Sequence, residues 1–263
     1  MIPFREALDR LLGSVSPLGA EPCLLENACG RRLRQDIRAD RDFPPFDRVM
    51  MDGFAMRIRD FPHGRSFAIM GISPAGLPAV TLPESPRTFV EVMTGAPMPV
   101  GADCIVPVEQ TKRVADGIIV ADSFEPVPRR FIHPTGSDAR AGDVVLTSGR
   151  LIGSREIGVA ASCGAAWLEV SRLPRIAVLA TGDELVEVDS VPAAHQIRQS
   201  NAHAIRCSLL RSGFSPASVG MTGDAPEALA HVAELLSAHD WLLLTGAVSK
   251  GARDFIPGLL DSL

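Results

Sequence analysis

The chain has 263 residues and a formal charge of −5, with 46% hydrophobic and 22% charged side chains, which together exclude a disordered chain and allow one or two folded domains. Its basic residues are scattered and its apolar runs are far shorter than the ~20 residues of a membrane span, so neither nucleic acid nor a membrane is an expected partner. Acidic residues near the N-terminus argue against a signal peptide, and five cysteines without Cys-x-x-Cys spacing argue against a disulfide framework or a zinc site; we therefore expect a cytoplasmic protein with reduced cysteines.

The N-terminal sequence predicts a docking helix. Pro3 suits a first helical turn, and apolar side chains then recur on one helical face, namely Phe4, Leu8, Leu11 and Leu12. Farther on, residues 42–47 contain two consecutive prolines, which predicts a stiff, extended connector. Asp52 and Gly53 follow inside an apolar patch, and an Asp-Gly pair by itself predicts a turn.

Residues 58–140 have the pattern of a separate β-rich domain, either a barrel or a sandwich. Short apolar runs broken by Pro and Gly are each long enough for one strand, and examples lie at 67–70, 88–93, 104–108 and 117–120. Residues 93–103 form a long loop of turn-forming residues that carries one hydroxyl, that of Thr94. By itself Thr94 is best explained as a side chain that stabilises a turn.

The remaining sequence predicts alternating helices and strands. One helix begins near Ser154, which has N-cap chemistry, and stops at Gly164, while Pro174 marks the start of the final domain. Strands are then expected at 176–180, 216–220 and 241–245, and helices at 201–212, 225–238 and 255–262. This alternation is typical of a parallel sheet with helices on both faces.

Two of these strands end in the same dipeptide. The first apolar run leads into Thr181, Gly182 and Glu184, and the last leads into Thr245 and Gly246. Because open α/β sheets bind ligands at the carboxyl ends of their strands, we expect both Thr-Gly ends at one binding edge. Either pattern alone is explained equally well by an ordinary core strand followed by a turn.

Residues near the same edge have two interpretations each. Asp224 forms a capping box with Glu227, Asp254 is placed to cap the last helix, and Ser249 suits a turn. The segment 249–254 also joins a strand to a helix N-terminus, where free amides and the helix dipole favour an anion. Capping and ligand binding are compatible, so both interpretations stay open.

An ordered set of motifs resembles the molybdopterin molybdenumtransferase family, of the MoeA and gephyrin E-domain type. The motifs span nearly the whole chain and occur in the family's order: Phe46-Asp47 to Met51-Asp52-Gly53-Phe54-Ala55, Met93-Thr94-Gly95-Ala96-Pro97, Gly136-Ser137-Asp138 with Gly142-Asp143, Thr181-Gly182-Asp183-Glu184-Leu185, His195-Gln196-Ile197 with Ser200-Asn201, and Thr245-Gly246-Ala247-Val248-Ser249 with Gly251 and Asp254. Any one of these motifs is weak, whereas the ordered set is specific.

The resemblance implies a multi-domain α/β protein with a β-rich insert. We expect an N-terminal scaffold at 1–57 and 141–173, a barrel-like or sandwich-like domain at 58–140, and an incomplete, doubly wound, molybdopterin-binding-like parallel sheet at 174–263. The family also implies an elongated homodimer in which the partner subunit completes the cleft.

The resemblance further implies the insertion of molybdate into adenylylated molybdopterin, with release of AMP, to make the molybdenum cofactor. The implied catalytic residues and Mg²⁺ ligands are Asp52, Glu184 and Asp254. The implied substrate-binding residues are Thr94, Asp138, Thr181, Gly182, Asp224, Gly246, Ser249 and Gly251. Both substrates are anions that carboxylates alone would repel, so a bridging divalent cation is expected between them.

Departures from the family pattern favour a second hypothesis, a non-catalytic molybdopterin-binding or assembly relative. Arg48 and Val49 stand where the family usually has Asn and Ser, and Ala247 stands in place of a Gly. Relatives also continue beyond residue 263 with anion-binding segments and a final β domain. Candidate partners are therefore the molybdopterin adenylyltransferase and a separate chain that supplies those segments. The retained carboxylates favour the enzyme.

Overall fold

The computed structural model describes residues 2–63, 65–115, 117–223 and 226–246. Four α-helices lie in these ranges, and their bounds are α1 Phe4–Ser14, α2 Ser154–Ser162, α3 Asn201–Arg211 and α4 Pro226–Ala238. Each coincides with a predicted helix to within two residues, whereas the helix predicted at 255–262 lies outside the described residues. None of the helices in these ranges combines the length and the apolar character needed to cross a bilayer.

Seventeen strands, many of them very short, lie in the same ranges. Their bounds are β1 Ala20–Leu24, β2 Ile37–Arg38, β3 Arg48–Val49, β4 Gly53–Met56, β5 Ser66–Ser73, β6 Thr88–Val92, β7 Cys104–Pro107, β8 Thr111–Val114, β9 Gly117–Val120, β10 Ile132–His133, β11 Val144–Leu146, β12 Trp167–Ser171, β13 Ile176–Thr181, β14 Leu185–Val186, β15 Ile197–Arg198, β16 Ser218–Thr222 and β17 Trp241–Thr245. Between 58 and 140 the described residues contain strands and short 3₁₀ turns but no α-helix, so the expected β-rich character of this region is confirmed.

The chain divides into two compact units. The six-stranded unit comprises the described parts of Leu24–Cys29 and Gln35–Leu168, and the parallel-sheet unit comprises those of Met1–Cys23, Gly30–Arg34 and Glu169–Leu263. The three-part boundaries expected from the sequence stay a prediction.

The six-stranded unit is built on one mixed sheet with the strand order β7-β4-β6-β5-β9-β8. Neighbouring strands run antiparallel except β5 and β6, which run parallel. The sheet begins at Gly53, inside the range that the sequence assigned to the scaffold. A Cβ at Gly53 would collide with the carbonyl oxygen of Val106 on β7, so glycine permits the close pairing that starts this sheet.

Apolar side chains cover both faces of this sheet. Because side chains alternate along a strand, β4 places Phe54 in one buried cluster and Ala55 in another. The first cluster is aromatic: Phe89 lies between Phe54 and Phe67, with ring centroids 5.5 and 4.3 Å away. This packing fixes the sheet that carries the site residues at its ends.

The predicted extended connector at 42–47 is wrong. The chain bends at 44–46, and the Phe43–Pro44 peptide is cis. Long-range hydrogen bonds decide this course: Phe43 N–H donates to the Ala139 carbonyl at 2.8 Å, and Gly136 N–H donates to the Pro44 carbonyl at 2.9 Å. Pairing with a segment nearly 100 residues away outweighs the local preference of the two prolines.

Helix α2 begins and ends where the sequence predicted, but a different residue caps it. The N-cap is Gly153 rather than Ser154, and the Gly153 N–H donates to the Glu156 carboxylate at 3.0 Å. At the other end Gly164 has a φ of +73°, the left-handed conformation that glycine adopts after a helix.

The parallel-sheet unit confirms the predicted parallel sheet. Its strand order is β16-β13-β17, and β13 pairs in parallel with both neighbours. Every residue of β13 is buried, with Val178 packing toward Ala202 of α3 and Leu179 packing toward Val232 of α4. Helices therefore cover both faces, as the alternation of elements predicted.

Helix α1 has the predicted apolar stripe, but none of its residues is buried. Phe4 is 83% exposed and Leu12 is 58% exposed. All five cysteines are free, and three of them, Cys23, Cys104 and Cys163, are buried.

Candidate active site

Asp52 lies between β3 and β4 and is held by Thr94. The Thr94 backbone N–H donates to Asp52 Oδ1 at 2.7 Å, and the Thr94 hydroxyl donates to the same oxygen at 2.8 Å. The loop after β6 reaches Asp52 because it packs on β3: Gly95 N–H donates to the Val49 carbonyl, and Val49 N–H donates to the Ala96 carbonyl, both at 2.9 Å. The structure thus joins two predicted site residues that local sequence explains separately as turn formers.

These two hydrogen bonds lower the pKa of Asp52. The backbone N–H of Thr94 has the larger effect on that pKa and the hydroxyl the smaller, while desolvation opposes both. Asp52 is therefore an exposed, ionised carboxylate near neutral pH. Its second oxygen, Oδ2, accepts no hydrogen bond from the described part of the chain.

Asp138 lies on the loop after β10 and is contacted by the ring of His133. His133 Nε2 lies 2.9 Å from Asp138 Oδ1, and Arg48 Nη2 lies 3.1 Å from His133 Nδ1. Strands β3 and β10 bring Arg48 and His133 together as a cross-strand pair. In the sequence Arg48 stands out only as a departure from the family pattern and His133 does not stand out at all, because no local pattern connects residues 85 positions apart.

Asp47 stabilises the same loop through hydrogen bonds to its carboxylate. Its Oδ1 accepts hydrogen bonds from the Thr135 N–H at 2.9 Å and the Thr135 hydroxyl at 3.2 Å, and its Oδ2 accepts one from Arg129 at 2.8 Å. Burial raises the pKa of Asp47, but the hydrogen bonds from Thr135 and Arg129 outweigh it, and the net pKa is lowered. Asp47 is thus a charged anchor for the turn that leads to Asp138.

The Thr-Gly ends of β13 and β17 meet at one edge of the parallel sheet, as predicted. The Thr181 hydroxyl donates to the Thr245 carbonyl at 3.4 Å, and Gly182 N–H donates to the Thr222 carbonyl of β16 at 3.1 Å. Gly246 has a φ of +95°, and a Cβ there would collide with the Thr181 carbonyl oxygen. The close approach of the two ends therefore requires glycine at this position.

Glu184 extends this edge. Leu185 N–H donates to the Gly182 carbonyl at 3.2 Å and closes a turn after β13. This turn places the exposed Glu184 carboxylate 2.7–2.9 Å from where a Cβ on Gly182 would stand. Glu184 lines a cavity of about 150 Å³ together with Thr181 and Gln199. Gln199 lines this cavity although the sequence does not predict it as a site residue; it is 5% exposed, and its Oε1 has no hydrogen-bond partner in the described chain.

The predicted set of metal ligands lies only partly within the described residues. Asp52 belongs to the six-stranded unit and Glu184 to the parallel-sheet unit, while Asp254 lies outside the described ranges, as do Asp224, Ser249 and Gly251. No group of three or more His, Cys, Asp or Glu side chains in those ranges is placed to hold a metal ion. The Mg²⁺ site therefore stays a prediction.

Two family models match the sequence. Residues 2–164 match the model described as the MoeA N-terminal region (domain I and II), and residues 177–263 match one described as a probable molybdopterin binding domain. Together they account for nearly the whole chain, and their junction falls close to the predicted start of the final domain.

Curated relatives agree with these matches. The chain is 34% identical, over its whole length, to a molybdopterin molybdenumtransferase of Synechocystis sp. and to one of Bacillus subtilis, covering 68% and 63% of those proteins. It also resembles a crystal structure of a MoeA molybdopterin biosynthesis protein from Pyrococcus horikoshii OT3, with a TM-score of 0.82 and 28% identity over 94% of this chain and 66% of that one. The chain therefore spans about two thirds of the length of these relatives and shares their mixed α/β fold.

Proposed function

Because the chain belongs to the MoeA family of molybdopterin molybdenumtransferases, we propose that it inserts molybdate into adenylylated molybdopterin, with release of AMP, in the biosynthesis of the molybdenum cofactor. The Asp52–Thr94 pair is the observation that carries this proposal. Two donors fix one oxygen of the carboxylate and favour its ionised form, and the other oxygen is left for the reacting groups.

The sheet edge is the proposed binding surface for the nucleotide-linked pterin. Gly246 is exposed at this edge, and its positive φ lets the ends of β13 and β17 lie together beside the cavity that Thr181 and Glu184 line. The Thr181 hydroxyl makes only a long contact of 3.4 Å to Thr245 and is available to donate to a substrate oxygen instead. Outside the described residues, Ser249 and Gly251 are the proposed donors to the anionic groups.

The site carboxylates fit a magnesium ion. Asp52 and Glu184 are both exposed, and each has a carboxylate oxygen without a hydrogen-bond partner in the described chain. Mg²⁺ is bound by one or two such carboxylates together with water and substrate oxygens, so Asp52, Glu184 and Asp254 are each proposed as a ligand. When bound, the ion neutralises the charge of the phosphate and molybdate oxygens.

Asp138 and Asp224 complete the proposed substrate contacts. An ionised carboxylate accepts hydrogen bonds and donates none, which suits the N–H donors of a pterin ring and opposes binding of bare phosphate. We place the protein in the cytoplasm as a homodimer, supported by its free cysteines and by the exposed apolar face of α1.

Release of AMP from adenylylated molybdopterin in the presence of molybdate and Mg²⁺ tests the proposal. Asp52→Asn keeps the shape of the side chain and removes its charge, so we expect AMP release to fall by about 10²-fold or more. Asp122→Asn is the matched control, because Asp122 is a fully exposed aspartate of the same unit paired only with Arg65, and it should leave the rate unchanged. Molybdopterin binding without any AMP release by the wild-type protein would instead support the non-catalytic alternative.

A further inference from the structure

We propose that Arg48 is a positioning residue that orients the Asp138 carboxylate through the imidazole of His133. This inference rests on the proposed function, in which Asp138 binds substrate. It assigns a role to a residue that stands out in the sequence only as a departure from the motif resemblance.

The donors and acceptors of the three side chains fix the arrangement. A guanidinium has five N–H donors and no acceptor, so the 3.1 Å contact from Arg48 requires His133 Nδ1 to accept. A neutral imidazole that accepts at Nδ1 carries its proton on Nε2, and Nε2 lies 2.9 Å from Asp138 Oδ1. Arg48 therefore selects the tautomer that donates to Asp138.

Among the described residues, His133 is the side chain that contacts the Asp138 carboxylate. The Asp138 backbone is fixed by its N–H, which donates to the Phe43 carbonyl at 2.9 Å, whereas 58% of its side chain is exposed. The neighbouring charges are engaged elsewhere: Asp47 contacts Arg129 and Thr135, and Arg140 contacts Asp42.

Loss of Arg48 has a specific consequence. Without a donor at Nδ1 the neutral ring also populates the tautomer protonated on Nδ1, and Nε2 then becomes an acceptor that faces the Asp138 carboxylate. Two acceptors repel each other, so Asp138 turns away from its position for part of the time. The hydrogen-bonded chain is also cooperative, because the Arg48 cation polarises the ring toward stronger donation at Nε2.

A mutant cycle tests the coupling without any substrate. Arg48 and Asp138 share no direct contact in the described structure, so Arg48→Met and Asp138→Ala should be non-additive only through His133. With His133 present, we expect the combined effect of the two changes on the unfolding equilibrium constant to differ by about threefold or more from the product of their single effects. In a His133→Phe background the same two changes should be additive. Additivity in both backgrounds overturns the proposal.

Kinetics and nitrogen spectra then connect the coupling to substrate. In wild type, ¹⁵N spectra should show an unprotonated Nδ1 and a protonated Nε2 on His133. In Arg48→Met both nitrogen signals should shift toward the average of the two tautomers. The same variant should have a kcat/KM lower by about tenfold. Arg48→Lys restores a cationic donor and should recover part of both, whereas Arg113→Met, which removes a surface ion pair with Glu91, should change neither. A tautomer shift with unchanged kcat/KM would overturn the positioning role. Wild type without any AMP release would refute the proposed function and the positioning role together, and the mutant cycle would still report whether the coupling exists.

Discussion

Single residues at this site acquire their roles from partners that are distant in sequence. Asp52 beside Gly53 and Thr94 in a turn-rich loop each have a sufficient local explanation, yet they are joined by two hydrogen bonds to one oxygen. Only the packing of the 93–98 loop against β3 brings them together. The motif resemblance could predict that both residues matter, but not that one holds the other.

The shared oxygen leads to a prediction about ionisation. Thr94→Val removes the hydroxyl and keeps the backbone N–H, so the pKa of Asp52 should rise but stay below its ordinary value. Since the folded pKa is lowered, the stabilisation by the carboxylate is present above the ordinary aspartate pKa and is lost as pH falls through the folded value; the loss should be smaller in the variant. Carboxyl ¹³C shifts followed against pH in Mg²⁺-free buffer measure this change. Thr94→Ser retains the hydroxyl and serves as control, and an unchanged pKa in Thr94→Val would show that the hydroxyl has no effect.

Gly246 allows a second prediction at this scale. Gly246→Ala combines a φ of +95° with a collision against the Thr181 carbonyl, and we expect it to lower the free energy of unfolding by about 3 kcal/mol or more. Gly213→Ala has a similar φ of +84° but open space around the new Cβ, so it should cost only about 1–2 kcal/mol. Urea denaturation of both variants separates the conformational cost from the collision. Equal losses of unfolding free energy in the two variants would mean that the ends of β13 and β17 can move apart without losing stability.

At the scale of elements, the predictable parts are those with a local periodicity. Strand β13 is an uninterrupted apolar run, and α3 and α4 repeat apolar residues at helical spacing, so their existence and order follow from the sequence. The pairs β2 with β11 and β3 with β10 contain strands of only two or three residues. Such strands have no detectable period, and their register depends on contacts across 80 residues or more.

The same limit explains which contacts of the candidate site could be predicted from the sequence. The Thr-Gly edge was predictable because it follows two long apolar strands, whereas the contact from Arg48 to His133 depends on the pairing of β3 with β10. Gln199 was not predicted as a site residue because nothing in the sequence indicates that its amide is buried, and its neighbours are mostly exposed.

The amino-terminal ends of β13 and β17 are tied by Asp240, which gives a prediction about acid stability. Asp240 accepts two hydrogen bonds from Arg172, at 2.8 and 2.9 Å, and one from the Arg175 N–H at 2.7 Å. Hydrogen bonding by Arg172, followed by that of Arg175, lowers the pKa of Asp240 well below its usual range. The stabilisation is thus complete above the ordinary aspartate value of 3.8 and is lost as pH falls below it toward the folded pKa.

Asp240→Asn should therefore reduce the stability of the protein at neutral pH and flatten its decline below pH 3.8. The measurement is the urea midpoint as a function of pH for wild type and variant. Asp122→Asn, at a fully exposed carboxylate, should reproduce the wild-type curve. Parallel curves for wild type and Asp240→Asn would show that the ion pair with Arg172 does not depend on folding.

At the scale of the whole molecule, α1 is a helix that the described residues leave uncovered. It has 11 residues, none of them buried, and its internal support is one exposed ion pair between Glu6 and Arg10. Such a pair contributes only about 0.3–0.5 kcal/mol, and isolated helices shorter than about 12–15 residues are marginal in water. The helix therefore needs a surface for its apolar face, and a second copy of the chain is the proposed one.

The prediction is a homodimer that depends on this face. Leu8→Glu combined with Leu11→Glu places charges in the apolar stripe, and burying them would cost several kcal/mol, so light scattering at micromolar concentration should change from a dimer mass to a monomer mass. Arg10→Gln removes the exposed ion pair but leaves the stripe intact, and it should stay dimeric. A monomeric wild type would remove the dimer from the proposal, and a double variant that remains dimeric would place the interface elsewhere. In the proposed dimer the partner subunit completes the cleft, so the monomeric variant should also lose most of its AMP release, while its Asp52–Thr94 pair, formed within one unit, persists.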